Sequence, residues 1–185
     1  KRVLTLLCAL LLLSATGITH AQNNFEVNVN CGGSAYTSST GVNFLADSNF
    51  DNGTVFSNTA VSINNTSDQI LYQTERYDDN LSYSFPVPFN GSYDVTLHFA
   101  EVFDKNQASN KRIFDMFLEG NLVLDDYDIF AAVGGYTADV KSFQVSVNDG
   151  VLNITSTSSV NKAKLCAIQV KYNPPVCTDP NHVPS

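Results

Sequence analysis

The sequence predicts an all-β fold, an antiparallel β-sandwich of the jelly-roll kind. Apolar and polar residues alternate over several short segments. Turn-forming residues separate those segments, and no stretch sustains a helical period. Short strands of this half-buried type pack as two sheets face to face, each burying every second side chain.

The elements follow in chain order. Lys1 and Arg2 precede a mostly apolar run at residues 3–13, and small residues lead from there to Ala21. A basic start, a run too short to span a bilayer and a small-residue exit predict a secretory signal peptide over residues 1–21. The β domain is expected over residues 22–172. Leu81, Tyr83, Phe85 and Val87 alternate with Ser82, Ser84 and Pro86, and Tyr93, Val95, Leu97 and Phe99 follow the turn Asn90-Gly91-Ser92. Phe114, Met116 and Leu118 lead through Glu119-Gly120-Asn121 to Leu122, Val123 and Leu124. Phe143, Val145 and Val147 lead through Asn148-Asp149-Gly150 to Leu152 and Ile154. The residues of these last two turns tolerate positive φ and predict two hairpins. Cys166, Ile168, Val170 and Tyr172 form the closing strand. The tail at residues 173–185 opens Asn173-Pro174-Pro175 and reads as a linker, so the chain is expected to sit beside other domains of a longer protein.

Charge excludes one class of partner. The formal net charge is −8, and nucleic acid or an anionic membrane surface needs clustered Lys and Arg instead. An oxidising compartment allows a disulfide among Cys31, Cys166 and Cys177. First and last strands of a sandwich often meet, which makes Cys31–Cys166 one pairing. Cys31–Cys177 is another, and Cys166 as a free core residue is a third reading. Asn-x-Ser/Thr sequons stand at Asn52, Asn64, Asn65, Asn80, Asn90 and Asn153, and they matter where the host glycosylates secreted proteins. No cofactor is expected. Asp125, Asp126 and Asp128 raise a structural calcium ion, but turn and strand-end hydrogen bonding is the preferred reading.

Several motifs stand in an order of their own. Asp68-Gln69-Ile70-Leu71-Tyr72-Gln73-Thr74-Glu75-Arg76-Tyr77 resembles the signature segment of malectin domains. Val29-Asn30-Cys31-Gly32-Gly33 resembles the family's opening strand and glycine turn. The segment Leu97-His98-Phe99-Ala100-Glu101-Val102-Phe103 resembles its central strand, and Leu165-Cys166-Ala167-Ile168 its closing one. The resemblance implies a galactose-binding-like sandwich, the malectin fold, that binds glucose-containing oligosaccharides at one end without cleaving them. It implies a secretory location, extracellular or in the endoplasmic-reticulum lumen.

The resemblance also implies a site. Tyr77 matches the family's ring-stacking tyrosine. Phe103 and Asp104 match an adjacent aromatic pair, with a carboxylate in place of the second ring. Asn161 matches an Asp that contacts sugar hydroxyls, and Phe56 lies near the position of a further tyrosine. From the residues alone, Tyr77 also fits a core tyrosine at a strand end. The parity of Phe103 points to the core, while the loop composition after it points to the mouth of the sandwich. Asp104 and Asn161 fit ordinary turn residues. Glu75, Arg76 and Glu101 are charges within apolar segments and are expected to be paired inside.

Two other functions compete. One is an extracellular receptor or adhesin domain with little affinity for free sugar. The other is a glycoside hydrolase built on Glu75, Glu101 and Asp104. A serine triad is hard to assemble from His98 and His182 alone, and a deep Trp-lined cleft cannot be made without Trp.

Overall fold

A computed structural model describes residues 24–175. The expected signal peptide, Cys177 and the tail from residue 176 onward lie outside the described residues. The strands are β1 (Glu26–Asn30), β2 (Tyr36–Thr37), β3 (Asn43–Ala46), β4 (Thr54–Ser57), β5 (Thr74–Asp78), β6 (Ser82–Pro86) and β7 (Gly91–Phe99). They continue with β8 (Ile113–Leu118), β9 (Asn121–Tyr127), β10 (Asp139–Val147), β11 (Val151–Val160), β12 (Ala163–Leu165) and β13 (Ala167–Asn173). One short α-helix among the described residues, α1 (Ile129–Val133), follows β9, with Asp128 accepting from the Ala131 amide as its cap.

Two sheets form the sandwich. One has the order β10-β7-β13-β1-β3-β2 and the other β6-β11-β8-β9. Only the β1–β3 pair is parallel among the described residues. Alternation does what the sequence predicts. Tyr93, Val95, Leu97 and Phe99 of β7 face Phe114, Met116 and Leu118 of β8 and Leu152 and Ile154 of β11 in one buried cluster. The Phe99 and Phe114 rings meet across the sheets at 6.1 Å.

One of the two expected hairpins forms. Glu119 (φ 50°) and Gly120 (φ 72°) turn β8 directly into its partner β9, as a two-residue turn with both centres left-handed would. The Asn148–Gly150 turn does something else. Strand β10 pairs along its length with β7, whereas β11 pairs with β6 and β8. This turn therefore carries the chain from one sheet to the other. Alternation reports that one face of a strand is buried, and both sheets of a sandwich bury one face, so the pattern is blind to which sheet a strand joins.

The first and last strands do meet. β1 pairs with β13, and the Cys31 amide donates to the Cys166 carbonyl at 2.9 Å. The Cys31–Cys166 disulfide, one of the three readings, is not formed; both thiols are free and buried, as the reading of Cys166 as a core residue has it. Their side chains pack into different clusters: Cys31 joins the main core, while Cys166 lies with Phe44, Tyr72 and Ala100. Burial pushes the Cys31 thiol well above its ordinary value and that of Cys166 up to about 12, so neither is a ready nucleophile.

His98 departs from β7's inward row and is buried on the sheet's other face, under Phe44 and beside Tyr72. Its Nδ1 lies 2.8 Å from the Tyr72 hydroxyl and its Nε2 3.0 Å from Gln169 Oε1. Burial lowers its pKa below 6.5, although the Gln169 bond acts the other way. A depressed folded value means that the unfolded chain takes up the proton first. The stability His98 contributes is thus whole above 6.5 and is lost as pH falls through its folded value. Thermal melts are expected to drop between pH 7 and pH 5, and a flat profile there would refute a neutral buried His98.

Candidate functional site

The third sheet, of order β12-β5-β4, carries the candidate site. Its register decides which side chains share a face. Phe56 of β4 stands opposite Glu75 of β5, and Lys164 of β12 stands opposite Tyr77. Period-two alternation therefore places Phe56, Glu75, Tyr77 and Lys164 on one face and Arg76 on the other. On that other face Arg76 is paired as the sequence predicts: two of its nitrogens reach Asp47 Oδ2 at 2.7 and 2.8 Å, and a third donates to the Gly53 carbonyl at 2.6 Å.

On the first face lies a cavity of about 210 Å³ lined by Phe56, Glu75, Tyr77, Phe103, Arg112, Asn161 and Lys162. Phe56 and Phe103 meet edge to face with centroids 5.4 Å apart, and all three rings of the wall are half-buried. Parity did not send Phe103 into the core, because the strand ends at Phe99 and a 3-10 turn begins directly after Phe103. Asn161 holds φ 58° in the turn between β11 and β12. Its amide nitrogen donates to Asn106 Oδ1 at 3.2 Å, and its oxygen accepts from the Lys162 amide at 2.9 Å. The Lys162 ammonium lies 5.8 Å from the centre of the Tyr77 ring.

Four of the five candidate residues thus come together: Tyr77, Phe103, Asn161 and Phe56. Asp104 stands apart from the cavity wall. It is exposed and accepts from the Tyr136 hydroxyl at 2.8 Å and the Asn58 amide at 3.3 Å.

Beneath the rings runs a buried chain of alternating charge. Arg112 Nε donates to Glu101 Oε2 at 2.7 Å, Lys164 Nζ lies 3.7 Å from Glu101 Oε1, and Lys164 also donates to Glu75. None of the four residues is more than 4% exposed. Burial alone would raise the Glu101 carboxyl, but Lys164 and Arg112 outweigh it and hold the group below its ordinary value. Glu75 and Glu101 were legible as charges that must be paired. Their partners were not, because Arg112, from the loop before β8, and Lys164, from β12, carry no local signal. Two buried carboxylates demand two cations, and that demand was the one available clue.

Asp125, Asp126 and Asp128 make no cluster, and among the described residues no group of three or more His, Cys, Asp or Glu is placed to hold a metal. Asp128 accepts instead from the amides of Ala131 and Asn110.

The profile of the Malectin domain family matches residues 25–177. The chain belongs to the malectin family. Malectin of Homo sapiens is 35% identical over 157 residues, which are 80% of this chain and 53% of that protein. The chain spans about half or less of the malectins it matches, 53% of the human protein and 38% of Malectin of Mus musculus. Among solved structures, a β-glucuronidase of Bacteroides uniformis superposes with a TM-score of 0.71 at 24% identity, covering 79% of this chain and 18% of that one. The ANXUR1 extracellular domain of Arabidopsis thaliana gives 0.70 at 16%, covering 78% and 47%. At these identities the two structures speak for the β-sandwich alone, not for a shared activity.

Proposed function

We propose that the chain is a non-catalytic carbohydrate-binding module of the secretory pathway, whose site takes glucose-containing oligosaccharides. The observation that carries this reading is the cavity bounded by Phe56, Tyr77 and Phe103, with Asn161, Arg112 and Lys162 at its polar side. Flat rings cover the C–H faces of a sugar, and nearby polar groups meet its hydroxyls. Membership of the malectin family supports the same reading. No helix among the described residues is long and apolar enough to cross a membrane. Five of the six sequon asparagines are exposed and Asn153 is half-buried, which suits a chain passing through a glycosylating compartment.

A glycosidase needs one carboxyl free to give up a proton and a second free to attack or activate water. Glu75 is bound by Lys164, and Glu101 by Arg112 and Lys164, so neither is free for that work. Incubation with malto-oligosaccharides is expected to release no glucose. A glycan array is expected to report binding to glucose-containing glycans. An array without any sugar ligand would favour the receptor or adhesin reading.

Asp104 directly follows the wall residue Phe103 but stands outside the cavity wall, and a ring at that position would offer a second apolar platform beside Phe103. Asp104→Phe is expected to tighten binding of maltose or nigerose several-fold in calorimetric titration. Equal affinities for the two forms would put the loop outside the site.

A further inference from the structure

We infer that Glu75 determines which sugar this cavity takes: its free carboxylate oxygen accepts a hydrogen bond from one hydroxyl of a neutral ligand. The inference rests on the carbohydrate-binding reading above and names the residue behind its selectivity.

The placement of Glu75 comes from β5. It stands opposite Phe56 and two residues before Tyr77, so alternation turns it to the same face as both rings. It is only 1% exposed, yet it lines the cavity, as the one carboxylate in that wall among the described residues. The two buried carboxylates beneath the rings are met unequally. Glu101 has both oxygens occupied: Oε2 accepts from Arg112 at 2.7 Å and Oε1 from the Phe103 amide at 3.1 Å. Glu75 has its Oε2 bound by Lys164, and its Oε1 has no hydrogen-bond partner among the described residues. Lys164 thus holds the carboxylate by one oxygen and leaves the other as an acceptor in the cavity wall.

The surrounding charges favour a neutral ligand. Lys164 and Arg112 answer Glu75 and Glu101, and Lys162 lies 3.7 Å from Asp79. A ligand carboxylate would face Glu75 at like charge, and a ligand ammonium would face Arg112 and Lys162. A hydroxyl meets neither penalty, since it donates to Glu75 and still accepts from other groups. Its bond to an ionised acceptor is of the stronger, charge-assisted kind. A sugar resting against the rings shuts out water, so it must bring that donor itself or leave a buried charge half met. A site of this kind rejects the analogue lacking its hydroxyl far more strongly than an apolar pocket rejects a missing methylene.

Calorimetric titration of the full chain tests this with maltose or nigerose, whichever binds more tightly, and with its analogues. In one series each hydroxyl in turn is replaced by hydrogen. In a second it is replaced by fluorine, which accepts weakly and cannot donate. At one position both replacements are expected to weaken binding alike, by roughly 30- to 100-fold. Glu75→Gln should shrink that factor to a few-fold, because a neutral amide answers the hydroxyl less strongly. Its thermal melt reports the fold, and Glu75→Gln combined with Lys164→Met takes its place if the single variant does not fold. A purely structural Glu75 would lower the affinity for every analogue together and leave the factor unchanged, which would overturn its role. The absence of any position sensitive to both replacements would overturn the acceptor and leave sugar binding standing. If neither disaccharide binds, this inference and the gluco-oligosaccharide reading fall together.

Discussion

Tyr77→Ala is expected to weaken oligosaccharide binding by tens of fold while the domain stays folded. The ring lies half-buried in the cavity wall, between Lys164 of β12 on one side and Thr54 of β4 on the other. It belongs to neither buried apolar cluster, so its loss leaves the sandwich core intact. Removing a ring on which a sugar face rests should cost about 1–3 kcal/mol, and each 1.4 kcal/mol or so is a factor of ten in affinity. Tyr77→Phe keeps the ring and should keep most of the affinity. Titration of both variants with the strongest array ligand measures the difference, and circular dichroism reports the fold. Tyr77→Ala that binds as well as the parent would refute the site, and Tyr77→Ala that unfolds would show a core tyrosine instead.

Lys164→Met is expected to destabilise the domain more than any change at the cavity rim. Lys164 is fully buried and serves two carboxylates, Glu75 and Glu101. Its removal leaves Glu75 buried without a cation and Glu101 with Arg112 alone. Breaking a buried pair in this way costs about 3–5 kcal/mol, because the remaining charge keeps its desolvation penalty. For a domain of this size that corresponds to a fall in melting temperature of roughly 10–15 °C. Lys164→Met combined with Glu75→Gln removes the stranded charge and should recover part of the loss. Glu101 adds a pH signature. Its folded pKa is depressed, so its contribution is whole above its ordinary value of 4.5 and is lost as pH falls through the folded one. The parent should therefore lose stability below about pH 4.5, and the Lys164→Met variant should show a shallower acid loss. A single variant that melts with the parent would mean that the ion chain contributes nothing.

The sequence carried the site unevenly. The malectin-like motif led to Tyr77, and only the register of β5 showed Glu75 beside it and Arg76 on the opposite face. The pairing of Arg76 followed from the cost of burying charge, and Asp47 meets it. Asp104 was assigned by position in a motif, and position could not tell whether a loop residue turns toward the cavity or toward Tyr136. Lys162 drew no notice, because one lysine in a polar turn looks like any solvated lysine until Tyr77 and Asp79 are beside it.

By itself the sequence determined the all-β class, the inward rows of β6, β7, β8 and β11 and the need for internal charge pairs. Each of these depends on local alternation or on a cost any fold must meet. The tertiary structure alone decided that the Asn148–Gly150 turn links two sheets and that Cys31 and Cys166 pack in separate clusters. It alone brought Arg112, Lys162 and Lys164 to Glu75 and Tyr77. Those contacts join residues tens of positions apart, and the pairing of strands, which local periodicity does not encode, is what brings them together.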